Sequence, residues 1–142
     1  MSLESEITAA IHSHERWKTK LADSIEHGLA SADLADVDKD DSCPFGRWLY
    51  GLTTPNGLTL PKFARLDPNY IVVQFLHGKF HQCAGQVVQL LAQGRTAEAS
   101  ALMAIDGEYT RTSDQLVAAM LKWKESVGAK SRATEPVGRS VE

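Results

Sequence analysis

Three histidines and one cysteine are the residues of this chain best suited to chemistry. His14 lies in His14-Glu15-Arg16-Trp17, Cys43 opens Cys43-Pro44-Phe45-Gly46-Arg47-Trp48, and His77 and His81 close the ends of His77-Gly78-Lys79-Phe80-His81. Three neutral imidazoles and one thiolate make the closed tetrahedral donor set that zinc prefers. Other chemistries lack their parts. The His77/His81 pair has no glutamate beside the first histidine, so zinc-protease chemistry has no general base. Carboxylate-bridged di-iron sites need core glutamates in a Glu-x-x-His pattern, and Glu6, Glu15 and Glu26 are not so placed. The acidic run Asp33, Asp36, Asp38, Asp40, Asp41 lacks the glycine and terminal glutamate of a calcium-binding EF-hand. It reads as a solvated loop, with Asp40 or Asp41 a candidate second contact to a ligand histidine. Phosphate-binding glycine loops, nucleophile elbows and dinucleotide fingerprints are absent from the sequence.

The elements that must position these residues read as helices joined by polar punctuation. Over residues 5–29, Ile7, Ala10, Ile11, Trp17, Leu21 and Ile25 recur at helical spacing. With Ile7 at heptad position a, His14 and Leu21 also fall at a, while His12 and His27 fall toward solvent. Residues 31–42 form a loop. A short helix starts at Pro44, since proline suits the first helical position, and ends at Gly51. Residues 53–68 are mostly loop. A second long helix runs from Pro68 or Asn69 to Ala92 with Gln93-Gly94 as its cap. A third spans 96–127, with Leu102, Ile105, Tyr109, Leu116, Met120 and Trp123 on one stripe. The polar tail 128–142 has no periodicity and is expected to be disordered, leaving residues 1–127 as a single bundle domain.

On the second long helix Tyr70, His77, Ala84 and Leu91 share a heptad position, and His81 follows His77 by one turn. That spacing sets the two imidazoles about 6 Å apart on one face, able to hold a single ion. A bland alternative stands beside each residue. A lone core histidine is more often a hydrogen-bonded packing residue than a ligand, and His-x-x-x-His pairs arise on helices by chance. Cys43 has a more specific setting: directly before Pro44 it sits at a helix start, where unpaired amides and the helix dipole favour thiolate. Cys83 reads as a small buried or interfacial residue.

Composition narrows the class. A chain of 142 residues can bury a core without covalent staples, and 43% hydrophobic with 7% aromatic residues fits a bundle of Ala, Leu and Val. A net charge of −3 gives no electrostatic footprint for nucleic acid. No apolar run approaches the roughly 20 residues of a membrane span, and the N-terminus has no apolar signal region. A cytoplasmic protein is therefore expected, in which metal binding is a better reading of a motif cysteine than a Cys43–Cys83 disulfide.

His14-x-x-Trp17-Lys18, Cys43-x-Phe45-Gly46-x-Trp48 and His77-x-x-x-His81, in this order, resemble the chemoreceptor zinc-binding (CZB) domain of bacteria over roughly residues 7–125. The resemblance implies an all-α, antiparallel four-helix bundle with an additional short helix carrying the cysteine ligand, in a homodimer. It implies zinc held by His14, Cys43, His77 and His81. Relatives lie at the end of chemoreceptors or beside diguanylate cyclase domains, where zinc or cysteine oxidation changes output, so a signalling partner of that kind is expected in trans. The expected role is a zinc-binding regulatory or sensory domain without enzymatic activity, or else a structural zinc bundle used for dimerisation or partner docking.

Overall fold

The computed structural model describes residues 2–27, 44–51 and 59–133. These form six helices: α1 (Leu3–His27), α2 (Pro44–Gly51), α3 (Lys62–Arg65), α4 (Pro68–Ala92), α5 (Thr96–Met103) and α6 (Glu108–Ala133). The described residues contain no strand, so the expected all-α class holds.

Local chemistry sets most helix ends. At the start of α1 the Ser2 hydroxyl accepts from the Ser5 amide at 3.1 Å, and Glu4 and Glu6 lie in the first turn, where the helix dipole favours negative charge. Asp67 caps α4 by accepting from the Asn69 amide at 2.8 Å, with Pro68 next in line. At the other end Gly94 turns to φ +75°, which brings Arg95 N to Leu90 O (2.8 Å) and Gly94 N to Leu91 O (3.0 Å). A residue with a β-carbon would be strained there. α2 and α4 keep the bounds read from the sequence.

Elsewhere the structure departs from that reading. Helix α3 lies inside the stretch taken as loop. The helix expected over 96–127 is two helices, broken at residues 104–107. A β-carbon on Gly107 would lie 2.2 Å from the Leu102 carbonyl oxygen, so only glycine permits this close turn. The Thr110 hydroxyl donates to Met103 O across the break at 2.9 Å. Ile105, expected on the buried stripe, is instead 92% exposed at the turn. α6 also runs past Gly128, where the tail was expected to start. A β-carbon there would lie 2.7 Å from a Glu4 carboxylate oxygen, so the missing side chain lets α1 and α6 approach.

α1, α4, α5 and α6 all pack against one another, with α5 far shorter than the other three. Asp67 at the start of α4 meets Ser126 and Lys130 late in α6, while Cys83 further along α4 meets Thr112 early in α6, so these two helices are antiparallel. Glu4 at the start of α1 lies beside Gly128 near the end of α6. Ile7, Leu21, Leu49, Phe80, Val87, Tyr109, Met120 and Trp123 are sealed in one core. α2 joins it by stacking Trp48 on Trp123, with ring centroids 5.8 Å apart. Trp123 in turn donates its indole N–H to Ala64 O of α3 at 3.2 Å. Among the described residues, no helix is long and apolar enough to cross a membrane.

Candidate metal centre

The hydrophobic phase of α1 and α4 carries His14, His77 and His81 into the core, where each is at most 2% exposed. Their ligand-capable nitrogens lie within 4.8 Å of one another. Ring centroids are 4.6 Å apart for His77 and His81, 5.0 Å for His14 and His77, and 5.7 Å for His14 and His81. The histidines at solvent positions, His12 and His27, remain outside, with side chains 65% and 74% exposed. Cys43 lies outside the described residues, as do Asp40 and Asp41.

The cluster is built to present lone pairs. Nδ1 of His14 donates to the carbonyl of Ala10, one turn earlier on α1, at 2.8 Å. That bond selects the tautomer whose Nε2 carries a lone pair, and it fixes the ring's orientation. Nε2 of His14 faces Nε2 of His77 at 3.1 Å. A tetrahedral zinc with Zn–N bonds of about 2.0–2.1 Å holds its nitrogens about 3.3 Å apart, so this pair already stands near ligand spacing. Burial pulls the His14 imidazole down to about 4, against the bond to Ala10, and the neighbouring His81 lowers it further. Burial also draws His77 down to about 2, with His14 and His81 adding to the effect. The His14 and His77 rings are thus held neutral, the form that binds metal. Donor type, burial and tautomer all fit a zinc ion.

Aromatic rings close the surroundings. Phe45 of α2 presents an edge contact to His14 (5.4 Å) and His77 (5.1 Å), and Phe80 does so to His14 (5.2 Å) and His81 (5.3 Å). Phe80 shares the inward helical phase of His77 and His81, the one signal in the sequence for its place beside them. Cys83 is a free thiol, 3% exposed, with Sγ 3.8 Å from the Thr112 hydroxyl oxygen. Burial pushes its thiol up, which leaves it a poor nucleophile, as its reading as a buried packing residue expects.

A buried cluster of imidazole donors in a helical bundle defines a metal-binding helical domain. Residues 14–88 match the family of the chemoreceptor zinc-binding domain, more than half of the chain, and the protein belongs to that family. It is a zinc-binding domain of the kind that occurs in signalling proteins. No curated protein and no solved structure matches the chain at a significant level.

Proposed function

We propose that this domain holds one zinc ion through His14, His77, His81 and the thiolate of Cys43, and that it is a cytoplasmic sensory module of bacterial signalling, in chemotaxis or cyclic-di-GMP control. The observation that carries the site is the pair of facing Nε2 atoms, 3.1 Å apart, one of them fixed as a lone-pair donor by Ala10 O. Metal analysis of purified variants tests it. Zinc content is expected to fall sharply in His14→Ala, Cys43→Ala and His77→Ala and to stay whole in His12→Ala and His27→Ala. Retention of zinc by Cys43→Ala removes the cysteine from the set.

The reading assigns no catalysis. With four protein ligands, a tetrahedral zinc offers no position to water or substrate. The signal is zinc itself or an oxidant acting on Cys43. Hypochlorous acid transfers chlorine to the thiolate sulfur and releases hydroxide; water then displaces chloride, giving sulfenic acid, so sulfur loses two electrons and chlorine gains them. Sulfenic acid is a poorer ligand than thiolate, which loosens α2 from the histidines. Mass spectrometry after limiting hypochlorous acid should find modification at Cys43 before Cys83 or Met103. The reverse order ends the oxidant reading.

A partner surface favours the second reading, a zinc bundle for dimerisation, alongside the first. On α4, Ile71 (66%), Val72 (46%) and Phe75 (69%) are exposed on adjoining positions, and Leu66 (71%) lies just ahead of the helix. Together they expose on the order of 500 Å² per copy, so two copies face to face would bury about 1,000 Å², the lower bound of a specific interface. The occupant we propose is a second copy of this chain. Light scattering should report a dimer at tens of micromolar and a monomer for Ile71→Glu with Phe75→Glu. A wild-type monomer rejects the second copy. A chelator that strips zinc while helicity stays separates a sensor from a structural bundle, which unfolds instead.

A further inference from the structure

Helix α2 is too short to stand alone: eight residues give two turns, below the length at which isolated helices persist in water. Its closing carbonyls also lack partners within the helix. One of them is met from outside. The Tyr70 hydroxyl on α4 donates to Leu49 O at 2.6 Å, in a buried setting. Gln74 Nε2 in turn donates to the Tyr70 oxygen at 3.2 Å, which leaves the phenolic proton directed at the carbonyl. Tyr70 is 8% exposed and precedes His77 by two turns on the same face of α4, about 10 Å along the axis. The helix that carries two imidazoles thus also carries the polar tie to the far end of α2. At its near end, Phe45 rests against His14 and His77. Between the two, Trp48 stacks on Trp123, and Trp123 lies 5.6 Å from the Tyr70 ring.

Aromatic packing is tolerant of sliding; a hydrogen bond to one carbonyl is not. The bond therefore fixes the register of α2 along the bundle, and Cys43 is covalently joined to the first residue of that helix. We propose that Tyr70 is a positioning residue for the cysteine ligand: through Leu49 O it holds α2 in register, and so sets how readily Cys43 leaves the metal. This rests on the assignment of Cys43 as the fourth ligand.

The test is Tyr70→Phe in the full chain, loaded with zinc. The substitution keeps the ring against Trp123 and removes the hydroxyl, which donates to Leu49 O and accepts from the half-buried Gln74 side chain. An unsatisfied buried carbonyl weakens the seat of α2, so alkylation of Cys43 by iodoacetamide, followed by mass spectrometry, should quicken about tenfold. Cys83 in the same molecules serves as the internal control and should keep its rate. Zinc release to excess chelator should quicken by a similar factor, and this gain should vanish when Tyr70→Phe is placed in Cys43→Ala. Equal acceleration of zinc release with and without Cys43, or equal quickening at Cys83, makes Tyr70 a general stabiliser and overturns the proposal. An unchanged Cys43 alkylation rate overturns it too. If Cys43→Ala alone keeps the zinc content and release rate of the parent, the ligand assignment fails instead, a result separate from either. If Cys43→Ala retains no zinc, the alkylation rates decide.

Discussion

Two buried polar clusters lie along α4, about three turns apart, and they are finished in opposite ways. At the start of the helix, Asp67 is 1% exposed and its carboxylate is enclosed by donors. Oδ1 accepts from the Asn69 amide (2.8 Å) and side chain (2.9 Å); Oδ2 accepts from the Ser126 hydroxyl and from Lys130 Nζ at 3.0 Å. Every partner is another part of the chain. Farther along, three imidazoles turn nitrogens toward one another, and His14 is locked in the tautomer that offers a lone pair inward. Donors and acceptors matched to each other make a joint; imidazole nitrogens gathered around one point make a site for a cation. Buried polarity alone does not separate structure from function, but the sign of what converges does.

The largest expected effect breaks the second cluster alone. His77→Ala with His81→Ala should reduce zinc to near zero by elemental analysis, whereas Asp67→Asn should keep one zinc per chain. Zinc retained by the double variant would erase the distinction. Next in size, Asp67→Ala should lower unfolding free energy by about 2 kcal/mol in chemical denaturation, because it removes the cap of α4 and strands the half-buried Ser126 and Asn69 donors. The Lys130 side chain is 45% exposed and adds little to that figure.

Acid should separate the two clusters by where each gives way. In chelated protein, burial holds His14 (about 4) and His77 (about 2) below the ordinary imidazole value of 6.5. The unfolded chain then binds more protons than the folded one as pH falls below 6.5, so stability drops through that window. For Asp67, burial pushes the carboxyl up, yet the bonds from Ser126, Asn69 and Lys130 outweigh it and hold the group below 3.8. Its contribution is whole above that value and is lost only as pH falls further. Melting temperature against pH should show both losses, and Asp67→Asn should remove the lower one alone. A single loss confined below pH 4 would mean the imidazoles are not buried as neutral groups. The smallest effect is Gly128→Ala. Removing a mid-helix glycine gains about 0.5–1 kcal/mol, offset by moving the flexible Glu4 carboxylate, so a small shift in melting temperature with unchanged zinc is expected.

The sequence disclosed the imidazole cluster more readily than the carboxylate joint, for a physical reason. His14, His77 and His81 sit at apolar positions of strongly periodic helices, so helical phase alone brought them inward. Asp67 stood in a stretch taken as loop, and its partners Ser126 and Lys130 are distant in sequence on an ordinary polar helix face; no local pattern announces that meeting. The break between α5 and α6 was missed for a related reason. Apolar spacing continues across Ile105, and only the steric demand at Gly107 reveals the turn. Tyr70 shared the phase of His77, but a side chain's use of one backbone carbonyl 21 residues earlier leaves no mark in the periodicity.

The contact between His14 and His77 joins positions 63 residues apart in the chain. A metal held by both would close that stretch into a loop only in the folded chain, so its binding free energy adds to folding stability. Both ends of that loop are histidines on long helices. Unfolding must therefore open that loop and release the ion together, as a belt comes loose only when its buckle does.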